Sequence, residues 1–169
     1  MDDAILIPVF CLSKMSLVSV RQFLALNAPD LIVLETAHRT ATVAEAAAVY
    51  GVAEGQIAKT LALGIGSEVV LLILAGDARI DNAKFKAQFN TKARMLDAQE
   101  VERWTGHPVG GVCPFGLSHE LKVYADESLL AFNEVVPAAG SPHSAVKISV
   151  ERLVLLAGAV WVDVARRAA

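Results

Sequence analysis

The sequence is poor in cysteine and in net positive charge, and each shortage excludes a class of protein. Its two cysteines, Cys11 and Cys113, lie far apart and form no pair at the spacing of a metal site. Isolated cysteines are typical of free thiols in a reducing compartment, so we expect a cytoplasmic protein. The formal net charge is −3, which disfavours a protein that binds duplex DNA by neutralising its phosphates. A local basic patch would still allow contact with another nucleic acid.

Long hydrophobic runs are also missing. The longest cover residues 69–75 and 153–162, and neither reaches the roughly 20 residues that a helix needs to cross a bilayer. Another apolar run, at residues 5–12, follows two aspartates instead of the basic residues of a secretory signal. We therefore expect no membrane partner. One hypothesis is that Met15 is the natural start, which would leave residues 1–14 upstream of it. We predict an N-terminal extension at residues 1–18 and a single domain at residues 19–166.

Hydrophobic residues in total are plentiful, at 54% of the chain, and can fill the core of one domain. Short strand-like runs alternate with short helical patterns, which predicts an α+β domain instead of a regular βαβ array. The best helix caps are Thr42 with Glu45, Asp97 and Ser19. Helices are predicted at residues 19–28, 42–50, 82–89, 97–105 and 149–156. Strands are predicted at residues 31–35, 60–65, 68–75, 92–96, 122–125, 133–138, 145–149 and 159–164.

Lys59 stands at the start of a predicted buried strand, where a lone ammonium group needs a reason. One interpretation is that the side chain reaches out to solvent from the strand start. The other is that it turns into a cleft and binds something negative or polar. Spacing alone favours the first interpretation, because long charged side chains are mostly exposed.

Six blocks then follow in order along residues 20–164, and two of them are specific in combination: the Lys-Thr-Leu of residues 59–61 and the Gly-Gly-Val-Cys-Pro-Phe-Gly of residues 110–116. The six blocks are residues 36–47, 57–61, 75–81, 106–116, 126–129 and 139–143. Together they resemble the YbaK/EbsC family, the free-standing relatives of the bacterial prolyl-tRNA synthetase editing domain. That resemblance implies a mixed, partly barrel-like sheet flanked by helices.

The resemblance also implies an activity. Such proteins act in trans and hydrolyse the ester between a wrong amino acid and the terminal adenosine of a tRNA. We therefore expect an aminoacyl-tRNA deacylase whose partner is misacylated tRNA, with tRNA(Pro) as the first candidate and prolyl-tRNA synthetase as a second partner. No cofactor is implied. The four histidines have no acidic partners at the spacing of a metal site, so no metal is expected.

The resemblance assigns the catalytic role to Lys59 and to the glycine-rich loop. Ester hydrolysis needs a placed water, stabilisation of the oxyanion and a route for the proton. Gly110 and Gly111 could present backbone N–H groups to the oxyanion, although paired glycines are also common in plain turns. No Ser-His-Asp or Cys-His arrangement is apparent. The family mechanism gives the proton transfer to the 2′-hydroxyl of the substrate ribose.

Substrate binding is expected from the rest of the glycine-rich loop and from nearby loops. Two of these residues have competing interpretations. Cys113 is either a nucleophile or a small apolar filler, and burial favours the filler. Asp77 is either a turn residue or a ligand of the substrate. The expected substrate-binding residues are His38, Asp77, Val112, Cys113, Pro114, Phe115, Gly140, Ser141, Pro142 and His143.

Two alternatives stay open at this stage. The chain could be a non-catalytic module of the same fold that binds tRNA or a synthetase, although an intact Lys59 and glycine-rich loop disfavour that hypothesis. The basic cluster Lys84, Lys86, Lys92 and Arg94 is either a solvated face or a contact for the tRNA acceptor stem. Sequence-specific binding of DNA is not expected, since no recognition motif is present.

Overall fold

The structure is a computed structural model that describes the backbone of residues 9–168 and the side chains of residues 16–168. Of the predicted extension, residues 1–8 therefore lie outside the described residues. The first helix, α1 (Val9–Asn27), crosses the predicted domain boundary between residues 18 and 19 without a break. The predicted N-cap at Ser19 is wrong. This serine lies inside α1, because no helix breaker precedes it, and its hydroxyl donates to the carbonyls of Ser16 and Gly116.

The described residues contain four further helices and eleven strands, along with two short 3-10 turns at Glu54–Gln56 and Glu127–Ala131. The helices are α2 (Val43–Tyr50), α3 (Asn82–Phe89), α4 (Ala98–Thr105) and α5 (Val150–Ala157). The strands are β1 (Val33–Glu35), β2 (Ala58–Ile65), β3 (Glu68–Ala75), β4 (Ala78–Ile80), β5 (Arg94–Met95), β6 (Lys122–Asp126), β7 (Glu134–Val135), β8 (Ser144–Val146), β9 (Ile148–Ser149), β10 (Val160–Val162) and β11 (Ala165–Arg167).

The central sheet has the strand order β10-β6-β3-β2-β5. Strands β10, β6 and β3 run parallel, whereas β2 is antiparallel to both β3 and β5. Three separate two-stranded ribbons join β1 to β8, β4 to β11 and β7 to β9. The prediction of an α+β domain with a mixed sheet is therefore confirmed.

Strand β3 explains why the core lies on both faces of this sheet. Its side chains alternate, as they must in an extended strand. Leu71 and Ile73 pack into one apolar cluster with α1, α4 and α5, while Leu72 and Leu74 pack into a second cluster with Phe85 of α3. A near-continuous apolar run is what a strand needs when both of its faces are covered.

Local sequence explains several element boundaries. Thr42 and Glu45 form the predicted capping box of α2, and Asp97 forms a second box with Glu100 at the start of α4. The predicted strand at residues 133–138 shrinks to β7 and one isolated bridge at Ala138. Pro137 lies between them, and proline has no N–H to give to a strand ladder.

Other predicted strands also differ from the structure. The predicted strand at 92–96 keeps only the two residues of β5, and the one at 145–149 divides into β8 and β9. Strands β4 and β11 were not predicted at all. Each has three residues and contains arginine, and each exists because it pairs with the other across the chain.

Candidate functional site

A cleft of about 320 Å³ lies beside β2. Strand β2 pairs with β3 along its whole length, but β5 covers it only at Leu63 and Gly64. The part of β2 that β5 leaves uncovered forms the floor of the cleft. The walls come from α2, the segment after β5, the glycine-rich loop (residues 109–116) and the β8 region. The lining of the cleft includes Thr40, Tyr50, Lys59, Thr60, Val109, Gly110, Val112 and Ser144.

Lys59 lines this cleft, and backbone carbonyls hold its ammonium group. The Nζ atom donates to the carbonyl oxygens of Gly76 at 3.2 Å and Ala78 at 2.5 Å. Burial lowers the pKa of Lys59, the nearby charge of Arg79 lowers it further, and Asp77 opposes the shift. An ammonium carries three donors, and two are used here. The third N–H has no partner in the described residues, so it can serve a ligand.

The glycine-rich loop divides between the cleft and the core. Val109, Gly110 and Val112 line the cleft, whereas Cys113 and Phe115 are completely buried in the apolar cluster behind it. Pro114 is also buried and lines no part of this cleft. The structure thus brings one of the four loop residues expected to bind substrate, Val112, to the cleft.

The two catalytic glycine candidates have different roles in this loop. A Cβ atom on Gly111 would lie 2.6 to 2.7 Å from backbone atoms of Gly140 and Ser141, so only glycine fits there. The Gly111 amide already donates to Pro108, at 2.9 Å, and its carbonyl accepts from Gly140, at 3.0 Å. Gly111 is therefore not available as an oxyanion donor, which corrects that assignment. The amide of Gly110 has no acceptor in the described residues, and the residue has a φ of 91° that favours glycine.

Cys113 has the environment of an apolar filler. Burial raises the pKa of its thiol to about 12. Its Sγ atom lies 3.7 Å from His107 Nε2 and 3.6 Å from the carbonyl oxygen of Phe115. A thiol that stays protonated inside the core is a poor nucleophile.

His107 is a buried residue that sequence reasoning missed. Its Nε2 lies 2.7 Å from the Phe115 carbonyl, which can only accept, so Nε2 carries the proton. Its Nδ1 therefore accepts from the hydroxyl of Ser16 in α1. Burial lowers the pKa of His107 and favours the neutral ring. The ring thus ties α1 to the back of the glycine-rich loop, and nothing in the sequence around Gly106 and Pro108 indicates that link.

The loop of residues 140–143 supports the cleft from outside. None of its four residues, Gly140, Ser141, Pro142 and His143, lines the cleft. Pro142 accepts hydrogen bonds from both the amide and the hydroxyl of Thr40, each at 2.7 Å, and the Ser141 hydroxyl lies 2.8 Å from that of Ser144. Thr40 and Ser144 do line the cleft, so this loop positions two wall residues.

His38, His143 and Asp77 also lie away from the lining. His38 and His143 are exposed, and His143 Nδ1 donates to the His38 carbonyl at 3.2 Å. Asp77 pairs with Arg167 at 2.6 Å, and the hydrogen bond from that guanidinium holds the pKa of Asp77 below its usual range. Asp77 therefore influences the cleft through its negative charge, which opposes the lowering of the Lys59 pKa.

Two hydroxyl groups in the cleft wall were also missed by sequence reasoning. The hydroxyls of Tyr50 and Thr60 are buried and have no hydrogen-bond partner within 3.5 Å in the described residues, although the Thr40 side chain is near enough to Tyr50 to oppose the rise in its pKa that burial causes. Leaving such a group unpaired costs about 1–3 kcal/mol, so native proteins rarely do so without a reason. Both residues line the cleft, where the polar atoms of a bound molecule would satisfy them.

No group of three His, Cys, Asp or Glu side chains in the described part of the chain could hold a metal ion. No helix described here is long and apolar enough to cross a membrane.

Comparison with known proteins gives consistent matches. Residues 37–156 match the model of a family described as the aminoacyl-tRNA editing domain. YwhH, an uncharacterised protein of Bacillus subtilis (strain 168), is 45% identical over 154 residues, which is 90% of this chain and 98% of YwhH. The proline–tRNA ligase of Maridesulfovibrio salexigens is 29% identical over 107 residues, which is 63% of this chain but only 18% of the ligase.

A solved structure matches over nearly the whole chain. It is a crystal structure described as that of a candidate trans-editing enzyme for prolyl tRNA synthetase. The two chains are 32% identical and superpose with a TM-score of 0.83, over 89% of this chain and 97% of the other.

Proposed function

This chain belongs to the aminoacyl-tRNA editing domain family, and from that premise we propose that it is an aminoacyl-tRNA deacylase acting in trans on misacylated tRNA. The single observation that carries the proposal is the Lys59 ammonium, fixed by two carbonyls at the wall of a cleft with one donor free. The substrate would be the 3′-terminal aminoacyl-adenosine. Such a tRNA is found in the cytoplasm, which is the location we propose.

The proposed reaction uses few protein groups. Water attacks the carbonyl carbon of the ester, the C–O bond to the ribose breaks, and the products are the free amino acid and tRNA. The free N–H of Lys59 and the amide of Gly110 stabilise the oxyanion that forms. The proton of the water passes through the neighbouring ribose hydroxyl to the leaving oxygen, because no histidine or carboxylate of residues 16–168 lines the cleft as a base.

The size of the cleft and its apolar walls favour a small amino acid as the group that is removed. Its walls are mostly apolar, and its volume of about 320 Å³ leaves little room beyond a short side chain and the adenosine ribose. The unpaired hydroxyls of Tyr50 and Thr60 offer hydrogen bonds to an amino group or a short polar side chain. We propose tRNA(Pro) as the carrier, because relatives contain the matched segment within a proline–tRNA ligase. That likeness also supports prolyl-tRNA synthetase as a partner.

The experiment is a deacylation assay on tRNA(Pro) carrying alanine, cysteine, serine, threonine or 2-aminobutyrate. We expect hydrolysis of one or two of these, and we expect Lys59→Ala to lower the rate by roughly 10²-fold or more. Lys122→Ala is the matched control, since Lys122 is exposed and pairs with Glu68 at the other end of the sheet. Equal turnover by the wild type and Lys59→Ala would reject the role of Lys59. Binding of tRNA without turnover of any ester would favour the non-catalytic module.

A further inference from the structure

Two arginines face each other on the ribbon formed by β4 and β11, called here the β4–β11 ribbon. Arg79 and Arg166 are register partners in this antiparallel pair, so their side chains stand on the same face. The opposite face carries Ala78 and Ala165, which are buried in the second apolar cluster. Both arginines are exposed. The ribbon therefore presents two guanidinium groups side by side to solvent.

Like charges directly opposite each other destabilise a strand pair unless something compensates them. The carboxylates near this ribbon are already engaged. Asp77 pairs with Arg167, Asp163 pairs with Lys84, and Asp81 accepts the first amides of α3 as its N-cap. Neither Arg79 nor Arg166 forms an ion pair or a hydrogen bond with any of the described residues. The Asp81 carboxylate keeps its negative charge and attracts Arg166 from a distance, but neither arginine has a direct acceptor among the described residues.

The β4–β11 ribbon also begins at a residue whose carbonyl binds the Lys59 ammonium group. The Ala78 carbonyl, which accepts from the Lys59 ammonium, belongs to the first residue of β4. Arg79 is the next residue, and its charge is close enough to lower the pKa of Lys59. A chain whose ester lies in the cleft would therefore have its neighbouring phosphates near the two arginines.

The geometry points to a phosphate-binding site: we propose that Arg79 and Arg166 together bind a phosphodiester group of the RNA strand that leads into the cleft. This proposal rests on the proposed function, since it assigns the path of the same substrate. Guanidinium groups match phosphate oxygens in geometry and charge, and two on adjacent strands can reach one phosphate. They supply the local positive charge that a chain with a net charge of −3 needs for RNA binding.

The other basic cluster fits this role less well. Lys84 is engaged by Asp163 at 2.7 Å and by the Ala165 carbonyl, and Arg94 is engaged by Glu100 at 3.2 Å. Lys86 and Lys92 are exposed. These two lysines therefore provide a matched control, because their removal takes away the same number of charges without touching the ribbon.

The test measures binding of uncharged tRNA(Pro) by the full chain across a series of salt concentrations. The variants are the wild type, Arg79→Ala/Arg166→Ala and Lys86→Ala/Lys92→Ala. We expect the arginine variant to bind about tenfold or more weakly and to lower the slope of log affinity against log salt by about 1. The lysine variant should bind nearly as the wild type does. Equal losses in the two variants, no loss in either, or no binding by the wild type would overturn the proposal.

Further measurements distinguish the arginine site from the proposed deacylase activity and from a site for small anions. With tRNA carrying an amino acid, the arginine variant should raise KM by a larger factor than it changes kcat. With a 2′(3′)-aminoacyl-adenosine, which has no phosphate, its loss in kcat/KM should be much smaller than the loss with the tRNA. A wild type that hydrolyses no ester rejects the proposed function, whereas the binding series still decides the arginine site. Competition by inorganic phosphate as strong as that by tRNA would show a small-anion site and overturn RNA binding.

Discussion

The glycine-rich loop lines the cleft of Lys59, and the β4–β11 ribbon holds its ammonium group, but the two regions are built in opposite ways. In the loop, Gly111 has both of its backbone groups paired, and His107, just before the loop, has both ring nitrogens paired. In the ribbon, Arg79 and Arg166 are exposed, and neither has a direct hydrogen-bond or ion-pair partner among the described residues. Satisfied polar groups in a core make a rigid support. Unsatisfied charges contribute nothing to that rigidity, so they are free to serve a ligand. Substitutions should therefore cost stability in the loop and little stability in the ribbon.

The largest effect is expected from His107→Ala. It removes a fully buried ring and leaves Ser16 and the Phe115 carbonyl without their partner, so we expect a loss of about 4 kcal/mol in the free energy of unfolding. His119→Ala is the control, because His119 is exposed: its ring centroid lies 5.3 Å from that of Trp104, and its Nδ1 lies 3.1 Å from the hydroxyl of the adjacent Ser118. Urea unfolding of both variants measures the difference. A similar, small loss in both would show that the loop does not depend on the His107 link.

Gly111→Ala should come next, with a loss of about 3 kcal/mol. The new Cβ would lie within 2.7 Å of the backbone of residues 140 and 141, which cannot move without shifting the Thr40 and Ser144 walls. Deacylation should fall along with the melting temperature. Gly51→Ala is the control: it has open space and only a positive φ, so it should lose about 1 kcal/mol. Full activity in Gly111→Ala would contradict the close-packing argument.

Two threonines allow the same substitution to be compared in opposite settings. Thr105→Val removes a buried hydroxyl that donates to Val101 and accepts from His107, so it should cost about 1.5 kcal/mol. Thr60→Val removes a buried hydroxyl with no partner among the described residues, so the free protein should gain about 1 kcal/mol while KM rises. Thermal unfolding measures the stability loss in Thr105→Val and the gain in Thr60→Val, and steady-state kinetics measures the rise in KM. Equal stability losses would mean that Thr60 is already satisfied.

Acid should weaken the loop through His107. Burial lowers the pKa of this ring below its ordinary value of 6.5. Below pH 6.5 the ring binds a proton in the unfolded chain but stays neutral in the folded protein, so the free energy of unfolding falls as the pH falls. Above pH 6.5 this contribution to stability is fully present. Unfolding curves from about pH 8 to about pH 5 should show this loss, and His107→Gln should lack part of it. Parallel pH profiles for the two proteins would contradict the assignment.

The smallest effect belongs to the ribbon. Arg79→Ala/Arg166→Ala should keep its stability or gain about 0.5 kcal/mol, because two like charges that face each other are removed. Removing Arg79 should also raise the pKa of Lys59, since one of the two causes that lower it disappears. Calorimetry and NMR titration of the lysine measure these changes. A loss of several kcal/mol would show that the ribbon is a structural element like the loop.

Local patterns made much of the fold predictable. The capping box at Thr42, the N-cap at Asp97 and strands β2 and β3 depend on residues close in sequence, and these elements form within two residues of the predicted positions. Strands β4 and β11 depend on each other across the chain, so neither short, charged segment stands out alone. Helix α1 begins earlier than predicted because a serine that can cap a helix can also lie within one.

The site was predictable in part for a similar reason. Lys59, Gly110 and Val112 belong to contiguous blocks of the family pattern, and all three line the cleft. Tyr50, Thr60 and His107 gain their surroundings only from tertiary contacts with other elements. The glycine-rich loop also divides its residues unevenly between the cleft and the core, which no spacing rule for loops describes.

The pairing of β4 with β11 also sets the order in which the protein can be completed. Arg166 and its neighbours belong to the last strand of the described chain, whereas the Lys59 hairpin is made much earlier. Chains emerge and begin to fold from the N-terminus during synthesis, and contacts between distant segments form late because a long loop must close first. The hairpin can therefore fold on a growing chain while its arginine pair is still absent. Because the Ala78 carbonyl that holds Lys59 belongs to β4, which needs β11 for its pairing, a nascent protein would complete the support of the lysine and the arginine pair together.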